Sequence, residues 1–179
     1  MDQATWEKGP FQRALSEGAD IPSTGETEFE RPRGVHSIQV RDGFTNVRVY
    51  GLSEPLPEAR IAVLAAVAAQ AVSLDFLKFT PDGLSFVVPD SDREAVDRAL
   101  KGVGARQEAK GDRSVVTAHA VNMRDEEGLI ARLVSTAIAS GTEIDHMGDM
   151  HDRVLFVVSK SDVAKLESAL KTGYQEEQA

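Results

Sequence analysis

The sequence predicts an α+β fold: two similar β-α-β-β-α-β units packed as a pair, with antiparallel sheets and helices on one face. Three observations carry this. The chain repeats itself at an offset of seventy residues, each copy alternates strand and helix periodicities, and one strand-like segment is left over at the front. The offset lays EARIAVLAAVAAQAVSLD (58–75) over GLIARLVSTAIASGTEID (128–145), with Ala69 on Ala139 and Asp75 on Asp145. It then lays LSFVVPDSDREAVDRAL (84–100) over VLFVVSKSDVAKLESAL (154–170) without a gap. There Phe86, Val87, Val88, Ser91, Asp92, Ala99 and Leu100 meet identical residues. An ungapped match of this length is an internal duplication, which fixes the architecture before any single element is read.

In the first copy, TNVRVYG (45–51) alternates Val47 and Val49 with polar residues, the mark of a half-buried strand. A helix over 58–70 puts Ile61, Leu64, Val67 and Ala68 on one face. A strand over 73–80, a hairpin turn at Asp82-Gly83 and a second strand LSFVV follow. Asp90 or Ser91 is expected to cap the next helix, whose inward residues are Ala95, Val96, Ala99 and Leu100, with Gly102 and Gly104 ending it. ARQEAK (105–110) reads as a short last strand. The second copy runs through a strand at 114–121, a helix at 128–140 closed by Gly141, strands at 143–149 and 153–158, and a helix at 161–171. It has no residues for a last strand. VHSIQVRD (35–42), which has no partner in the first copy, fills the gap. The expected organisation is an arm or linker over 1–34 with a short helix near 4–16, strand 35–44 completing the second unit, the first unit at 45–111, the second at 112–173 and a tail at 174–179.

A net charge of −9 without a basic cluster argues against nucleic acid as the main partner. The absence of cysteine removes disulfides, thiolate nucleophiles and Cys-based zinc sites, and suits a cytoplasmic protein. The N-terminus lacks the apolar core of a signal peptide, and the longest apolar run, 61–69, is far short of the ~20 residues of a membrane span. With Met1 at one end and the polar YQEEQA at the other, a complete small chain is the expectation. KGVGAR (101–106) has two glycines but follows a helix instead of opening one, so it reads as a helix stop and not as a phosphate loop. DHMGDMHD (145–152) brings His146, Asp149 and His151 close in sequence, but strand residues five apart point to opposite faces. Polar residues near a hairpin are the expected reading there, and no metal or other cofactor is expected.

The stretch NMRDEEGLIARLVSTAIASGTEID followed by VLFVVSKSDVAKLESAL resembles the second copy of the tandem ACT regulatory region of aspartokinases, and the likeness spans roughly 34–173. It implies ferredoxin-like units with one copy inserted in the other. It also implies an amino-acid effector, lysine or threonine, bound at the interface of paired ACT units, a homodimer, and in some members a separate catalytic kinase subunit. This would be regulation of lysine, threonine and methionine biosynthesis. The family's Asp-x-Pro-Gly loop is Asp125-Glu126-Glu127-Gly128 in the second copy and Pro55-Leu56-Pro57-Glu58 in the first. The Asn of its Gly-Ile-Asn is Glu143 and Ser73. Helix starts carry unpaired amides that suit a carboxylate. The candidate ligand residues are therefore Met123, Arg124, Asp125, Gly128, Leu129 and Ile130 with Glu143 and Asp145, and Glu54, Glu58 and Ala59 with Ser73 and Asp75. The acids suit lysine ahead of threonine. Glu58, Glu126 and Glu127 equally suit helix starts that satisfy themselves, and Asp75 and Asp145 equally suit an exposed outer face. No kinase catalytic motif is present, so the expected function is amino-acid-sensing regulation and not catalysis. The alternatives are a degenerate ACT pair serving oligomerisation alone, or the regulatory portion of an aspartokinase enzyme.

Overall fold

The structure, a computed structural model, describes residues 34–121, Met123 and 127–175. The expected helix near 4–16, together with Arg124, Asp125, Glu126 and most of the tail, lies outside the described residues. The elements are β1 (Gly34–Tyr50), α1 (Leu56–Ala68), β2 (Phe76–Thr80), β3 (Gly83–Pro89), α2 (Arg93–Gly102), β4 (Arg106–Val121), α3 (Leu129–Ala139), β5 (Ile144–Asp149), β6 (Arg153–Ser159) and α4 (Val163–Gln175). The duplication is visible in the bounds. β3 and β6, the 3₁₀ turns Asp90–Asp92 and Lys160–Asp162, and the starts of α2 and α4 are all displaced by seventy residues.

All six strands join one antiparallel sheet in the order β2-β3-β1-β4-β6-β5. The segments 35–42 and 45–50, separate in the sequence reading, form the single 17-residue strand β1, and 106–110 and 114–121 form the 16-residue β4. Asp42-Gly43 and Gly111-Asp112 look like turns in the sequence but are bulges where the β1–β4 register slips. A one-residue slip exchanges the faces of a strand. Val47 and Val49 face the helices of the first half, whereas in the second half Ile38 on β1 and Val116, Ala118 and Ala120 on β4 do so. The bulges thus keep all four helices on one face of a sheet whose alternation changes phase midway.

The sheet is not flat. β3 and β5 stand four positions apart, about 19 Å at normal strand spacing. Yet Ser85 on β3 is 2.8 Å from His146 on β5, and the rings of Phe76 and His146, on the two outermost strands, are 6.3 Å apart. The sheet folds over along β1 and β4, and the faces without helices meet. Phe44, Val87, Val115, Leu155 and Val157 form a dry core between them, with Phe76 against it. Each outer face has its own core: Val63, Val67, Val96 and Leu100 over Phe86 in the first half, Leu129, Leu133, Leu166 and Leu170 over Phe156 in the second.

Several local expectations change. α1 buries Val63 and Val67, leaves Leu64 half-buried and Ala68 exposed, and turns Ile61 outward at 65% exposure. Its alanine-rich sequence has too little contrast between faces to set the phase. Neither Asp90 nor Ser91 caps α2, because a 3₁₀ turn intervenes and Asp90 instead accepts a hydrogen bond from Thr45 Oγ1 at 2.5 Å. The first hairpin turns through Pro81-Asp82, and Gly83 already pairs with Thr80. Gly141 ends α3 as expected, with φ 72°.

Candidate functional site

The predicted ligand residues fall at opposite ends of their helices. At the start of α1, Glu54 accepts a hydrogen bond from the amide of Leu56 at 2.9 Å, and Glu58 is exposed in the first turn. Ala59 lines a cavity of about 280 Å³ between the Gly51–Ser53 loop and Val103–Arg106. Ser73 and Asp75 lie beyond the other end. A helix of 13 residues is about 20 Å long, so one small molecule cannot touch both groups within one chain. The second copy is divided in the same way. Gly128 opens α3 with φ 77°, a left-handed conformation that only glycine adopts without strain. Met123 and Leu129 bury their side chains in the core and Ile130 packs partly against it, so any contact these three make with a ligand is through backbone. Glu143 and Asp145 lie past the far end of the helix.

The two repeat-related aspartates, which the alternative reading left on an outer face, are both engaged. Asp75 pairs with Arg41 of β1 at 2.9 Å, tying the first half to the front of the shared strand. Asp145 is drawn much further in, with its side chain 6% exposed. It accepts from Arg113 Nε at 2.5 Å and from Lys110 Nζ at 3.3 Å, and Lys110 also reaches Glu143 at 2.8 Å. The carboxylate of Glu143, and then that of Asp145, raises the Lys110 ammonium above its ordinary range. A carboxylate so enclosed costs several kcal/mol unless paired, and Arg113 with Lys110 supply the pairing.

Beside this network is a cluster the sequence reading missed. His146 Nε2 lies 2.9 Å from Asn46 Oδ1 and 2.8 Å from Ser85 Oγ, and all three side chains are buried where the halves meet. Burial pushes the His146 pKa down, which favours the neutral ring, and the tautomer of that ring sets whether Nε2 donates to Asn46 Oδ1 or accepts from Ser85 Oγ. The signal for this cluster was a polar Ser85 within the apolar LSFVV and the polar alternates of TNVRVY. Both look like solvent-facing positions until a second sheet covers them. Among the described residues no three His, Asp or Glu side chains come together as a metal-holding group. No helix among those residues is long and apolar enough to cross a membrane.

No family model matches the sequence, and no curated protein matches it. Solved structures match in fold. A chain from the crystal structure of aspartokinase alpha and beta subunits has a TM-score of 0.70 at 19% identity, the match covering 79% of this chain and 99% of that one. The ligand-free regulatory subunit of aspartate kinase from Thermus thermophilus has a TM-score of 0.70 at 14% identity, over 79% of this chain and 98% of that one. E. coli aspartokinase III in complex with lysine and aspartate matches at 0.59 and 13% identity, over 82% of this chain but 34% of that longer one. At these identities the likeness is one of fold. The chain has the tandem ACT-type fold of aspartokinase regulatory subunits and domains.

Proposed function

We propose that the chain is a regulatory module of the aspartokinase type, an ACT pair that performs no phosphoryl transfer itself, binds an amino-acid effector and biases a catalytic kinase chain. The single observation that supports this best is extent: the fold likeness takes in 98% of a chain described as the regulatory subunit of aspartate kinase. The helix-start residues Glu54, Glu58 and Ala59, and Gly128 with Leu129, are the proposed effector positions, together with Arg124 and Asp125. Glu143, Asp145, Ser73 and Asp75 stand at the opposite helix ends. They join such a site only if a second copy of the chain brings them alongside, so the proposed working form is a homodimer. The acids at the helix starts favour lysine over threonine, because a second ammonium finds a carboxylate there.

One observation favours a second reading. The Glu54 carboxylate already occupies the Leu56 amide that an effector carboxylate would take, as in a module kept only for assembly. A thermal-shift titration separates the two. With lysine at about a hundred times its dissociation constant, folding stability rises by about 2.7 kcal/mol. The rise is smaller in Asp125→Ala. No shift with lysine, threonine, methionine or aspartate at millimolar concentration leaves the assembly reading standing. Copurification with a separately expressed aspartokinase catalytic chain, and a change of its lysine inhibition, tests the regulatory half of the proposal.

A further inference from the structure

The chain has four histidines, and the fold brings two of them together. His36 on β1 and His119 on β4 lie on paired strands of the second half, with ring centres 6.1 Å apart and planes tilted by 46°. The register explains the approach. Ser37 is the direct partner of His119 and Val35 that of Ala120, so His36 is the extra residue of a bulge. A bulge re-aims its side chain, and this one leaves His36 beside His119 without a cross-strand partner of its own. The two rings differ in setting. His36 is exposed, whereas His119 is half-buried and its Nε2 is enclosed without a hydrogen bond among the described residues. A buried polar atom with no partner is rare and calls for an explanation. The charged neighbours do not supply one. Asp152 and Arg153, beside the start of β6, act on the ring through their charges alone, and their side chains are joined to each other at 2.5 and 2.8 Å.

We infer that His36 and His119 form a binding site for a late first-row divalent ion of the Zn²⁺ and Ni²⁺ class. Imidazole nitrogens suit these ions, whereas Mg²⁺ prefers oxygen. No third His, Asp or Glu side chain joins the pair among the described residues, so water completes the coordination. Two imidazoles that share one ion through nitrogens at about 2.0–2.1 Å hold their ring centres about 5–6 Å apart. The observed separation needs only a small turn of His36, which is free to make it on the exposed side of a bulge. The neutral ring is the form that ligates. Burial, then Arg153, push the His119 pKa down against the pull of Asp152, and His36 adds to the shift. His119 therefore keeps its neutral form into mildly acidic solution. The joined Asp152–Arg153 pair leaves no net charge to repel the ion. An ion held by both rings ties the front of β1 to β4, where the second half has its last strand. The site does not rest on the effector reading.

The probes are the chlorides of Zn²⁺, Ni²⁺ and Mg²⁺, titrated calorimetrically into the full chain without a polyhistidine tag. A single Zn²⁺ or Ni²⁺ is expected to bind, and Mg²⁺ is not. His36→Gln and His119→Gln are each expected to weaken Zn²⁺ by about tenfold or more, since loss of an outer-shell partner alone costs roughly 10–100-fold at metal sites. Affinity falls between about pH 7.5 and 5.5, as protons compete for the two rings. In proton–nitrogen correlation spectra, the ring nitrogens of His36 and His119 shift together as Zn²⁺ is added, and those of buried His146 do not. His36 is exposed, so its substitution tests the site without touching the core, and circular dichroism confirms that His119→Gln is folded. Absence of Zn²⁺ and Ni²⁺ binding at millimolar concentration overturns the inference, whatever the amino-acid titrations give. So does Zn²⁺ binding that survives His36→Gln, or that only His146→Gln or His151→Gln removes.

Discussion

Asp75 and Asp145 occupy the same position in the two copies, yet their environments make different demands. Arg41, the partner of Asp75, is 52% exposed, and ion pairs of that kind are worth less than about 1 kcal/mol. Arg113, the partner of Asp145, is 12% exposed. Asp145→Asn removes the paired carboxylate and leaves that enclosed guanidinium only the weaker charge of Asp162. The expected loss is about 2–3 kcal/mol, short of a fully enclosed pair because Lys110 reaches solvent. Urea denaturation of Asp75→Asn and Asp145→Asn side by side checks the contrast, and equal losses contradict it. His146 gives a pH signature. Burial depresses its folded pKa, Asp145 opposes that shift and Lys78 adds to it. With the folded value below the unfolded one, the unfolded chain takes up the proton first. Stability is therefore full above about pH 6.5 and falls as the pH drops from there toward the folded value. His119, also depressed by burial, adds to the same slope. In His146→Gln, the loss of stability between about pH 7.5 and 5.5 should shrink, which denaturation at the two pH values measures.

At the scale of elements, the duplication and the helix–strand order were legible because both are periodic signals that survive in a single chain. The continuity of β1 and β4 was not. Asp42-Gly43 and Gly111-Asp112 carry turn chemistry, and only the pairing partner distinguishes a turn from a bulge. The phase of α1 was hidden by its alanines, whereas α2, with Val96, Ala99 and Leu100 among charged residues, was read correctly. The site suffered from a related limit. Asn46 and Ser85 look like a solvated face, because nothing local in the sequence says that a second sheet covers them. Strand pairing also makes a sharp prediction at Gly83. A Cβ there falls onto the Val49 carbonyl and the Tyr50 backbone, neither of which can move aside as a side chain can. Gly83→Ala is expected to cost about 2–4 kcal/mol and to loosen the β2–β3 hairpin. Amide exchange in Phe76–Pro89 is the readout, and unchanged protection there counts against this register.

At the scale of the molecule, two outer cores and one inner core are connected by two strands that each serve both halves. Neither half can unfold without withdrawing β1 and β4 from the other, so heat should unfold the described region as one unit. Phe86→Leu in the first half and Phe156→Leu in the second, each losing about 1–2 kcal/mol, are expected to shift one common calorimetric transition. A transition that splits, with one component unmoved, contradicts this coupling.

The interleaving of the strands also has a temporal side. A ribosome delivers the chain from its N-terminus, and every element of the first half's outer core has emerged once β4 begins. The front of β1 is made before all of this, yet its pairing partner, 114–121, emerges only afterwards, and α4, which also packs on β1, comes last. During synthesis the first half closes early while Gly34–Asp42 waits as an unpaired strand. That waiting strand carries His36, Gln39, Arg41 and Asp42 among its apolar residues. Such polar interruptions protect an open edge against pairing with a neighbouring nascent chain, so the composition of this one segment answers to the interval before its partner exists as well as to the finished fold.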